Sequence, residues 1–562
     1  MSYLPLIVGY GGINSAGRSI FDFSHQRMLF DSIDAKNQDE VLMSLGHLMS
    51  TKERKIILNK TLIRTIDDNF FDDHNYRSPV LPTLAGGQLP SGFNPAKTYN
   101  SRQHPRGLAM TVFGLSDAVL SLGLPWEEIL SKVPRQKISC VSGCAVAQAD
   151  KYGMGGMFQA PMANSRITSK HMAMSLGEGS ADFGHAYVLG SMGSTGSYTG
   201  ACATFQYNLK LGISMIQSGE SLISVVGAAE SGIVPEIYEA FSATKGLAED
   251  ENLIKLQEKL GEDFDEPNHR KICRPFGENI GMSLGESAQF VILMADSLAL
   301  ELGLNIHGAA LSSHIHADGY KKSISGPGAG NYLTVGKVFN EIKKHFGHEA
   351  MNKTFFHAHG TSTPQNRESE SHIISRMSKA FGIESLPVTA IKSYLGHSLA
   401  AAGGDQMISS LGSWRNNLIP GICSTPKLAD NVYTENVNFL LENLEFEDNE
   451  FDFAVLNAKG FGGNNGTSLV ASPAKTMELL QAKYSSKQIK KYQVQKQSID
   501  NQLLENKSKI LQGDTKSRYI FGENVIDGMN DFKVESHQIT NKLNNEKFNL
   551  ESILPYKDFL KG

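Results

Sequence analysis

The sequence predicts an α/β fold, in which apolar strands alternate with helices along the chain. Short apolar runs that resemble buried strands occur at residues 6–12, 137–143, 222–230, 289–294, 354–359 and 453–457. Helix-compatible segments separate these runs, and the longest of them begins at Cys202. Because such alternation covers sheets with helices, it favours a layered α/β architecture. With 562 residues, the chain is long enough to bury a large core.

The N-terminal elements follow in order. The run Leu6-Ile-Val-Gly-Tyr-Gly-Gly predicts a buried first strand that ends in a glycine turn. Residues from about 35 to 105 are more polar, and we expect an irregular insertion there. Strands at 137–143 and 222–230 then enclose the Cys202 segment, which predicts a strand, helix and strand in succession.

The C-terminal end has a different composition. After about residue 474 the chain is rich in Lys, Gln, Asn and Glu. Apolar residues recur through this extension at Leu479, Leu480, Ile489, Leu503, Leu504 and Ile510. The pattern predicts a polar amphipathic helix followed by a surface strap, with disorder as the alternative.

Composition excludes several classes of protein. The chain is 40% hydrophobic and 20% charged, with a net charge of −5. The absence of a basic excess argues against nucleic-acid and anionic-membrane partners. No stretch approaches the roughly 20 apolar residues that a membrane span needs, and the N-terminus lacks a signal-peptide pattern. We therefore expect a cytoplasmic protein whose five cysteines are free thiols.

Cys202 is the first candidate catalytic residue. Small residues from Gly196 to Ala201 lead to it, and an apolar helix-compatible run follows. A cysteine in the first turn of a helix lies near unpaired amides and the positive end of the helix dipole. Both favour the nucleophilic thiolate. The alternative is that Cys202 is only a small buried apolar residue.

Two histidines accompany the thiol. His359 lies in His357-Ala-His-Gly-Thr-Ser-Thr-Pro364, after an apolar strand. His397 lies in Lys392-Ser-Tyr-Leu-Gly-His, before a run of small residues. α/β proteins build sites at such strand ends, so we expect both side chains near Cys202. A structural role is the alternative for each histidine alone.

Other patterns predict no cofactor or metal. The glycines at 153–156 lack the spacing of a nucleotide-binding turn. His314 and His316 have no further ligand types beside them, so we expect sheet-edge residues.

These segments resemble the β-ketoacyl-acyl carrier protein synthases of the thiolase-fold superfamily. The family motifs match at Cys202, His359–Pro364, Lys392–His397, Gly460–Asn465 and, before the midpoint, Arg274–Ala288. The Cys-His-His set resembles the elongation type. Thiolases have a second cysteine in the last glycine loop, and this loop has none. The phrases Tyr99–Gly107 and Ala458–Asn465, with the long tail, are similar to the extended FabY-type bacterial synthases.

The resemblance implies a thiolase-like fold of duplicated α/β halves with a layered αβαβα core. It places the nucleophile in residues 1–295, both histidines in 296–474, and a polar extension in 475–562. It also implies a homodimer without cofactor or metal, acting on an acyl-CoA primer and malonyl-acyl carrier protein. By family, FabY-type enzymes condense acetyl-CoA with the malonyl carrier protein to start fatty-acid synthesis.

The resemblance also assigns roles. Cys202 takes the acyl group, and the neutral imidazoles of His359 and His397 donate hydrogen bonds to the developing enolate. The matching positions further imply these roles: a supporting charge on Lys392 with Glu370 as its partner, an oxyanion hole and gate at Phe461 and Gly462, and hydroxyls for the phosphopantetheine arm on Thr361 and Thr363.

Three positions depart from the family pattern. Arg367 replaces a common Asp, Gln406 replaces a common Glu, and Lys459 replaces the first Phe of the last glycine loop. Lys459 suggests a polar acyl entrance suited to a short primer. Three alternatives stay open: an elongating or polyketide-type synthase, a decarboxylase that does not condense, and a non-catalytic partner subunit, which the presence of Cys202 disfavours.

Overall fold

The computed structural model describes residues 2–67, 81–324 and 326–551. Its strands are β1 (Pro5–Asn14), β2 (Gly17–Arg18), β3 (Arg64–Thr65), β4 (Ala85–Gly86), β5 (Ile138–Gly143), β6 (Thr195–Gly196), β7 (Ile223–Ser231), β8 (Glu286–Ala295), β9 (Gly308–Ala317), β10 (Thr354–His357), β11 (Leu386–Thr389), β12 (Leu418–Ile419), β13 (Val437–Phe439), β14 (Leu444–Glu445), β15 (Phe453–Gly460), β16 (Asn464–Ala471), β17 (Phe532–Val534), β18 (Gln538–Asn541) and β19 (Lys547–Asn549). The six long strands predicted from the sequence correspond to β1, β5, β7, β8, β10 and β15.

The helices alternate with these strands. They are α1 (Phe23–Met28), α2 (Ala35–Met49), α3 (Arg54–Asn59), α4 (Arg106–Leu120), α5 (Trp126–Lys132), α6 (Met154–Met162), α7 (Ser169–Ala173), α8 (Gly179–Phe183), α9 (Thr204–Ser218), α10 (Pro235–Ala243), α11 (Asp250–Leu260), α12 (Asp296–Leu302), α13 (Gly330–Phe346), α14 (Glu349–Asn352), α15 (Pro364–Phe381), α16 (Lys392–Leu395), α17 (Ala402–Asn416), α18 (Pro473–Lys483) and α19 (Ser486–Leu511). Helix and strand together confirm the α/β class.

The main sheet repeats one pattern of strands twice. In the first half β1 pairs antiparallel with β8, β8 antiparallel with β7, and β7 parallel with β5. In the second half β9 pairs antiparallel with β16, β16 antiparallel with β15, and β15 parallel with β10. A short antiparallel pairing of β1 with β9 joins the halves. The fold is therefore a duplicated α/β unit.

Two helices lie between the halves. Helix α9 packs against β7 and β9, while α17 packs against β8 and β15, so each helix touches both halves. Helices α4 and α13 pack on β1 and β9 respectively. The result is a layered core. Helices α9 and α17 begin in the same internal region of this core, and the candidate active site lies there.

Strand β1 is longer than the sequence suggested. We expected it to end at a glycine turn, but it continues through the glycines to Asn14. The glycines serve close packing instead, because a Cβ on Gly11 would lie 2.2 Å from the backbone nitrogen of Ala118 in α4. The glycine-turn prediction was therefore wrong for this strand.

The insertion is more ordered than its composition suggested. The side chain of Asp34 accepts a hydrogen bond from the Asn37 amide and caps α2. One face of α2 buries Val41, Leu45 and Met49 against the core. The expected irregularity is therefore wrong for α2 and α3, and residues 68–80 of the insertion lie outside the described residues.

The C-terminal extension lies along the body of the protein. Helix α19 buries Ile489, Tyr492, Ile499 and Ile510. An extended segment follows, where the amide of Ile520 donates to the Tyr187 carbonyl at 2.8 Å, and β17–β19 form a small separate sheet. Among the described residues, every helix is too short or too polar to cross a lipid bilayer.

Candidate active site

The three residues singled out in the sequence meet at one cavity. Cys202, His359 and His397 line a cavity of about 350 Å³. The exposed fractions of the three residues are 8%, 4% and 1%. The two imidazole centroids are 5.3 Å apart, and the rings are nearly perpendicular at 87°. A thiol and two imidazoles thus share one cavity and are each largely buried.

Cys202 lies just before helix α9, not in its first turn. The helix begins at Thr204, and the Ala203 amide donates to the Gly200 carbonyl at 2.9 Å. Burial raises the pKa of the Cys202 thiol to about 12, although Lys392 and the backbone amides of Cys202 and Phe461 oppose that rise. Cys202 thus lies outside the first helical turn in which the sequence placed it, and desolvation outweighs the nearby positive groups in setting the direction of its pKa.

His359 is held through its main chain. It follows β10 by two residues, and its amide donates to Glu370 Oε1 at 2.7 Å. Its carbonyl accepts a hydrogen bond from Lys392 Nζ. Burial lowers the pKa of the His359 imidazole well below its usual value, and Lys392, His397 and Lys459 lower it further. His359 is therefore a neutral imidazole in a fixed position.

Lys392 and Glu370 act on each other without direct contact, since the charge of Glu370 raises the pKa of Lys392 against the effect of burial. The two side chains make no ion pair within 4.0 Å, and each binds the main chain of His359 instead. Besides the His359 amide, Glu370 accepts hydrogen bonds from the Gly360 amide and from the side chains of Asn366 and Asn457, at 2.7–2.9 Å. Four neutral donors thus satisfy this buried carboxylate, so a contact with Lys392 is not required.

His397 is held by the segment that precedes β8. Its amide donates to the Ser283 carbonyl at 2.7 Å, and its carbonyl accepts from the Gly285 amide at 3.0 Å. Gly396 has φ of +74°, and a Cβ there would lie 2.6 Å from the Leu284 carbonyl oxygen. Burial, with a contribution from Lys392, lowers the pKa of His397 well below its usual value. His397 is therefore a second neutral imidazole.

The last glycine loop lies against Cys202. A Cβ on Gly460 would lie 2.3 Å from the Gly200 carbonyl oxygen and 3.0 Å from the Cys202 nitrogen. The backbone amide of Phe461 interacts with the Cys202 thiol, as does the amide of Cys202 itself. The Phe461 ring is 41% exposed, and Gly462 donates to the Ile324 carbonyl at 3.2 Å with φ of +84°. Two amides therefore converge beside the sulfur.

Two threonine hydroxyls line the same cavity. Thr361 Oγ1 and Thr363 Oγ1 are 3.3 Å apart, between His359 and helix α15. The Thr363 side chain also caps α15 by accepting from the Asn366 amide. This arrangement places polar groups along the wall that leads from the surface to the thiol.

Two departures from the family pattern lie in the supporting structure. The Arg367 guanidinium faces away from the thiol and donates to the Gly277 carbonyl at 2.9 Å. Gln406 donates to the carbonyls of Ala358 and Asn457, both at 3.0 Å. Gln406 thereby ties the residue that follows β10 to the middle of β15, a structural task that needs no charge.

The sequence reasoning missed one buried carboxylate. Glu230 ends β7 and is 1% exposed. It accepts from the Ala145 amide at 2.6 Å, and burial raises its pKa to about 7. Its charge contributes to the raised pKa of Cys202. A charged residue at the end of an otherwise apolar strand was the available signal.

Comparison with known proteins gives the family. The sequence model described as "Beta-ketoacyl synthase, N-terminal domain" matches residues 130–299, and "Beta-ketoacyl synthase, C-terminal domain" matches residues 307–425. The chain is 36% identical to the β-ketoacyl-[acyl-carrier-protein] synthase FabY of Pseudomonas aeruginosa, over 96% of this chain and 97% of that one. It is 25% identical to a 3-oxoacyl-[acyl-carrier-protein] synthase 2 of Staphylococcus aureus, over 49% of this chain and 63% of that protein.

Solved structures agree with the sequence comparison. The crystal structure of the noncanonical ketosynthase FabY from P. aeruginosa matches with a TM-score of 0.94 and 35% identity, covering 100% of this chain and 99% of that one. A β-ketoacyl synthase from Burkholderia phymatum shares the fold, with a TM-score of 0.62 at 19% identity over 84% of this chain and 99% of that one. These matches confirm the predicted thiolase-like fold. The chain belongs to the β-ketoacyl-acyl carrier protein synthases, a family of condensing acyltransferases, and within it to the FabY type.

Proposed function

We propose that this protein condenses an acyl primer with malonyl-acyl carrier protein in bacterial fatty-acid biosynthesis, through an acyl-Cys202 intermediate. The observation that carries the proposal is the meeting of Cys202, His359 and His397 at one cavity beside two converging amides. The reaction has two stages, acyl transfer to the thiol and decarboxylative attack on the resulting thioester.

The first stage loads the primer. Attack by Cys202 sulfur on the primer thioester gives a tetrahedral oxyanion, and the leaving thiol is released as acyl-Cys202 forms. The amides of Cys202 and Phe461 are placed to donate to that oxyanion. Because the resting thiol has a raised pKa, it loses its proton as the sulfur attacks, and that proton ends on the leaving thiol of the primer. The positive charge of Lys392 assists the deprotonation.

The second stage makes the carbon–carbon bond. Malonyl thioester loses carbon dioxide, and the electron pair of the broken bond becomes the enolate that attacks acyl-Cys202. The bond between the acyl carbon and the Cys202 sulfur then breaks, and its electron pair stays on sulfur. His359 and His397 are neutral, so each has one N–H to donate to the enolate oxygen. Such donors act where charge develops, which is where they accelerate a reaction.

A short primer, with acetyl-CoA as the donor, fits the surroundings of the thiol. Cys202 packs among buried apolar side chains of Ile233, Met282 and Leu399. The insertion contributes Ile66 to the same cluster. A long acyl chain would have to displace these side chains, whereas an acetyl group adds two carbons. A synthase that prefers longer carrier-bound primers is the alternative.

The wider assignments are also proposals. The edge strand β6, with half-exposed Met192 and Tyr198 nearby, offers a face on which two copies could pair as a homodimer.

The boundary between the two halves at residue 295 falls at the end of β8. Cytoplasmic location is supported by five cysteines that are free thiols.

Intact-protein mass spectrometry tests the function. Incubation with acetyl-CoA should add one acetyl group to Cys202, and malonyl-acyl carrier protein should then remove it as an acetoacetyl product. Cys202→Ala should take up no acetyl group. Loading only by longer acyl carrier proteins would show an elongating enzyme, and loss of carbon dioxide without discharge of the acyl group would show a decarboxylase.

A further inference from the structure

Among the charged side chains that line the cavity, Lys459 is the one nearest in sequence to the last glycine loop, and the mechanism above gives it no task. Lys459, near the end of β15, lines the cavity together with Cys202 and His359. It is close enough to His359 to contribute to the lowered pKa of that imidazole. Its side chain therefore shares the cavity in which the extender unit must react.

Lys459 has little internal bonding. Its Nζ donates to Ser369 Oγ at 3.2 Å, and among the described residues no carboxylate lies within ion-pair distance of it. An ammonium group has three protons to donate. Burial lowers the pKa of Lys459, while Glu370 and Asp318 counter that effect and Lys321 adds to it. This half-buried cation thus has donors beyond the one that Ser369 accepts, and it lines the cavity.

The two nearby carboxylates already have other partners. Glu370 accepts hydrogen bonds from four neutral donors, as described above. Asp318 pairs with Lys321 at 2.9 Å and accepts from Asn465 at 2.8 Å and from the Gly330 amide at 2.9 Å. Neither carboxylate depends on Lys459. Lys459 is half-buried and therefore partly desolvated, and an anion bound beside it would offset that cost.

We propose that Lys459 binds the carboxylate of the malonyl group and so selects the extender substrate. The inference rests on the function proposed above. The malonyl carboxylate is one carbon from the thioester carbonyl, so an anion that reacts beside His359 is within reach of Lys459. Decarboxylation breaks the bond between this carboxylate and the methylene carbon, and the electron pair stays on carbon as the enolate. Lys459 exchanges no proton, and neutral carbon dioxide leaves it.

This role predicts an effect on binding rather than on the chemical step. Lys459→Met removes a charge-assisted contact present in the bound malonyl substrate, so the KM for malonyl-acyl carrier protein should rise about 10- to 100-fold. The kcat for carbon dioxide release should not fall, because the carboxylate loses its charge during the reaction. Lys459→Arg should restore most of the affinity. Lys459→Gln provides a second neutral variant if Lys459→Met does not fold.

Two comparisons distinguish binding of the malonyl carboxylate from a general effect of positive charge and from binding of the pantetheine phosphate. Lys245, at the mouth of the same cavity and exposed, provides the control variant Lys245→Met, which should change the KM by less than about threefold. The acetyl-CoA loading rate is the second comparison, because acetyl-CoA carries the pantetheine phosphate but no malonyl carboxylate. Loading should be unchanged in Lys459→Met.

The outcomes are distinct. An unchanged KM for malonyl-acyl carrier protein overturns the inference, and an equal loss in loading and extension assigns Lys459 to the pantetheine phosphate or to structure. Failure of the unmodified protein to form any acyl-Cys202 would overturn the proposed function itself, and the inference with it. A raised malonyl KM with normal acetyl loading supports both.

Discussion

Glu370 and Lys392 hold opposite sides of one residue, because Glu370 accepts the amide hydrogen of His359 and Lys392 donates to its carbonyl oxygen. The imidazole of His359 is thus positioned by charged groups that touch its main chain rather than its ring. The arrangement fixes the backbone without protonating the ring, whose pKa Lys392 helps to keep low.

Replacement of Glu370 by glutamine tests this arrangement. Glu370→Gln introduces a donor where the Glu370 carboxylate accepts four hydrogen bonds, so one amide or asparagine loses its partner. We expect decarboxylation to fall at least about tenfold and the unfolding temperature to drop. Glu368→Gln, two residues earlier on α15 and exposed, is the matched control. Carbon dioxide release at wild-type rate in Glu370→Gln would contradict the positioning role.

Glu230 gives the protein a pH-dependent stability. Burial raises the pKa of Glu230 to about 7 from 4.5, so the folded state holds this proton more tightly than the unfolded state. Stability from this group is present at low pH and is lost as pH rises through 7, by about 3 kcal/mol in total. Glu230→Gln should remove that slope between pH 4.5 and 8 in denaturant titrations. Exposed Glu523→Gln should leave the slope in place.

The same substitution should change the reactivity of the nucleophile. The charge of Glu230 is one cause of the raised pKa of Cys202. Glu230→Gln removes that charge, so the Cys202 pKa should fall and alkylation by iodoacetamide at pH 8 should become faster. Lower alkylation rates across the pH range would indicate instead that the variant disturbs the loop at Ala145.

Gly460 controls the position of the amide beside the thiol. A Cβ at this position would lie 2.3 Å from the Gly200 carbonyl oxygen, which is backbone and cannot rotate away. Gly460→Ala should displace the Phe461 amide and slow acetyl loading by about 100-fold, the usual cost of one lost oxyanion donor. Gly336→Ala, within α13, meets only the Met377 side chain, at 3.6 Å, and should keep full activity. Normal loading by Gly460→Ala would show that this amide does not serve the oxyanion.

Local patterns allowed the strands to be predicted, and they also predicted that Cys202, His359 and His397 lie close together. Apolar runs determine where strands form, and short motifs bring their own backbone geometry. The pKa of Cys202 could not be predicted in this way, because burial depends on side chains distant in sequence such as Met282 and Leu399. The hydrogen bonds that Glu370 accepts could not be predicted for the same reason, because one of the donors, Asn457, lies 87 positions away in the chain.

The insertion and β1 show where composition misleads. A polar segment formed α2, because a single apolar face is enough once Asp34 caps the helix. The glycines of β1 indicated a turn. In the structure their lack of a Cβ allows α4 to pack closely on the strand, and this contact is visible only in the tertiary structure.

The C-terminal extension should contribute directly to the stability of the body. Ile499 in α19 is 5% exposed, and a Cβ on Gly123 would lie 2.9 Å from its Cγ2, so the two segments are in close contact. Ile499→Ala should cost about 2–4 kcal/mol, because it leaves a cavity between α19 and the body. Leu504→Ala removes a comparable apolar side chain that is 68% exposed, and it should change stability by less than about 0.5 kcal/mol. Chemical denaturation of both variants measures the difference, and light scattering shows whether the extension also stabilises a dimer. Equal stability of the two variants would mean that α19 rests on the surface without supporting it.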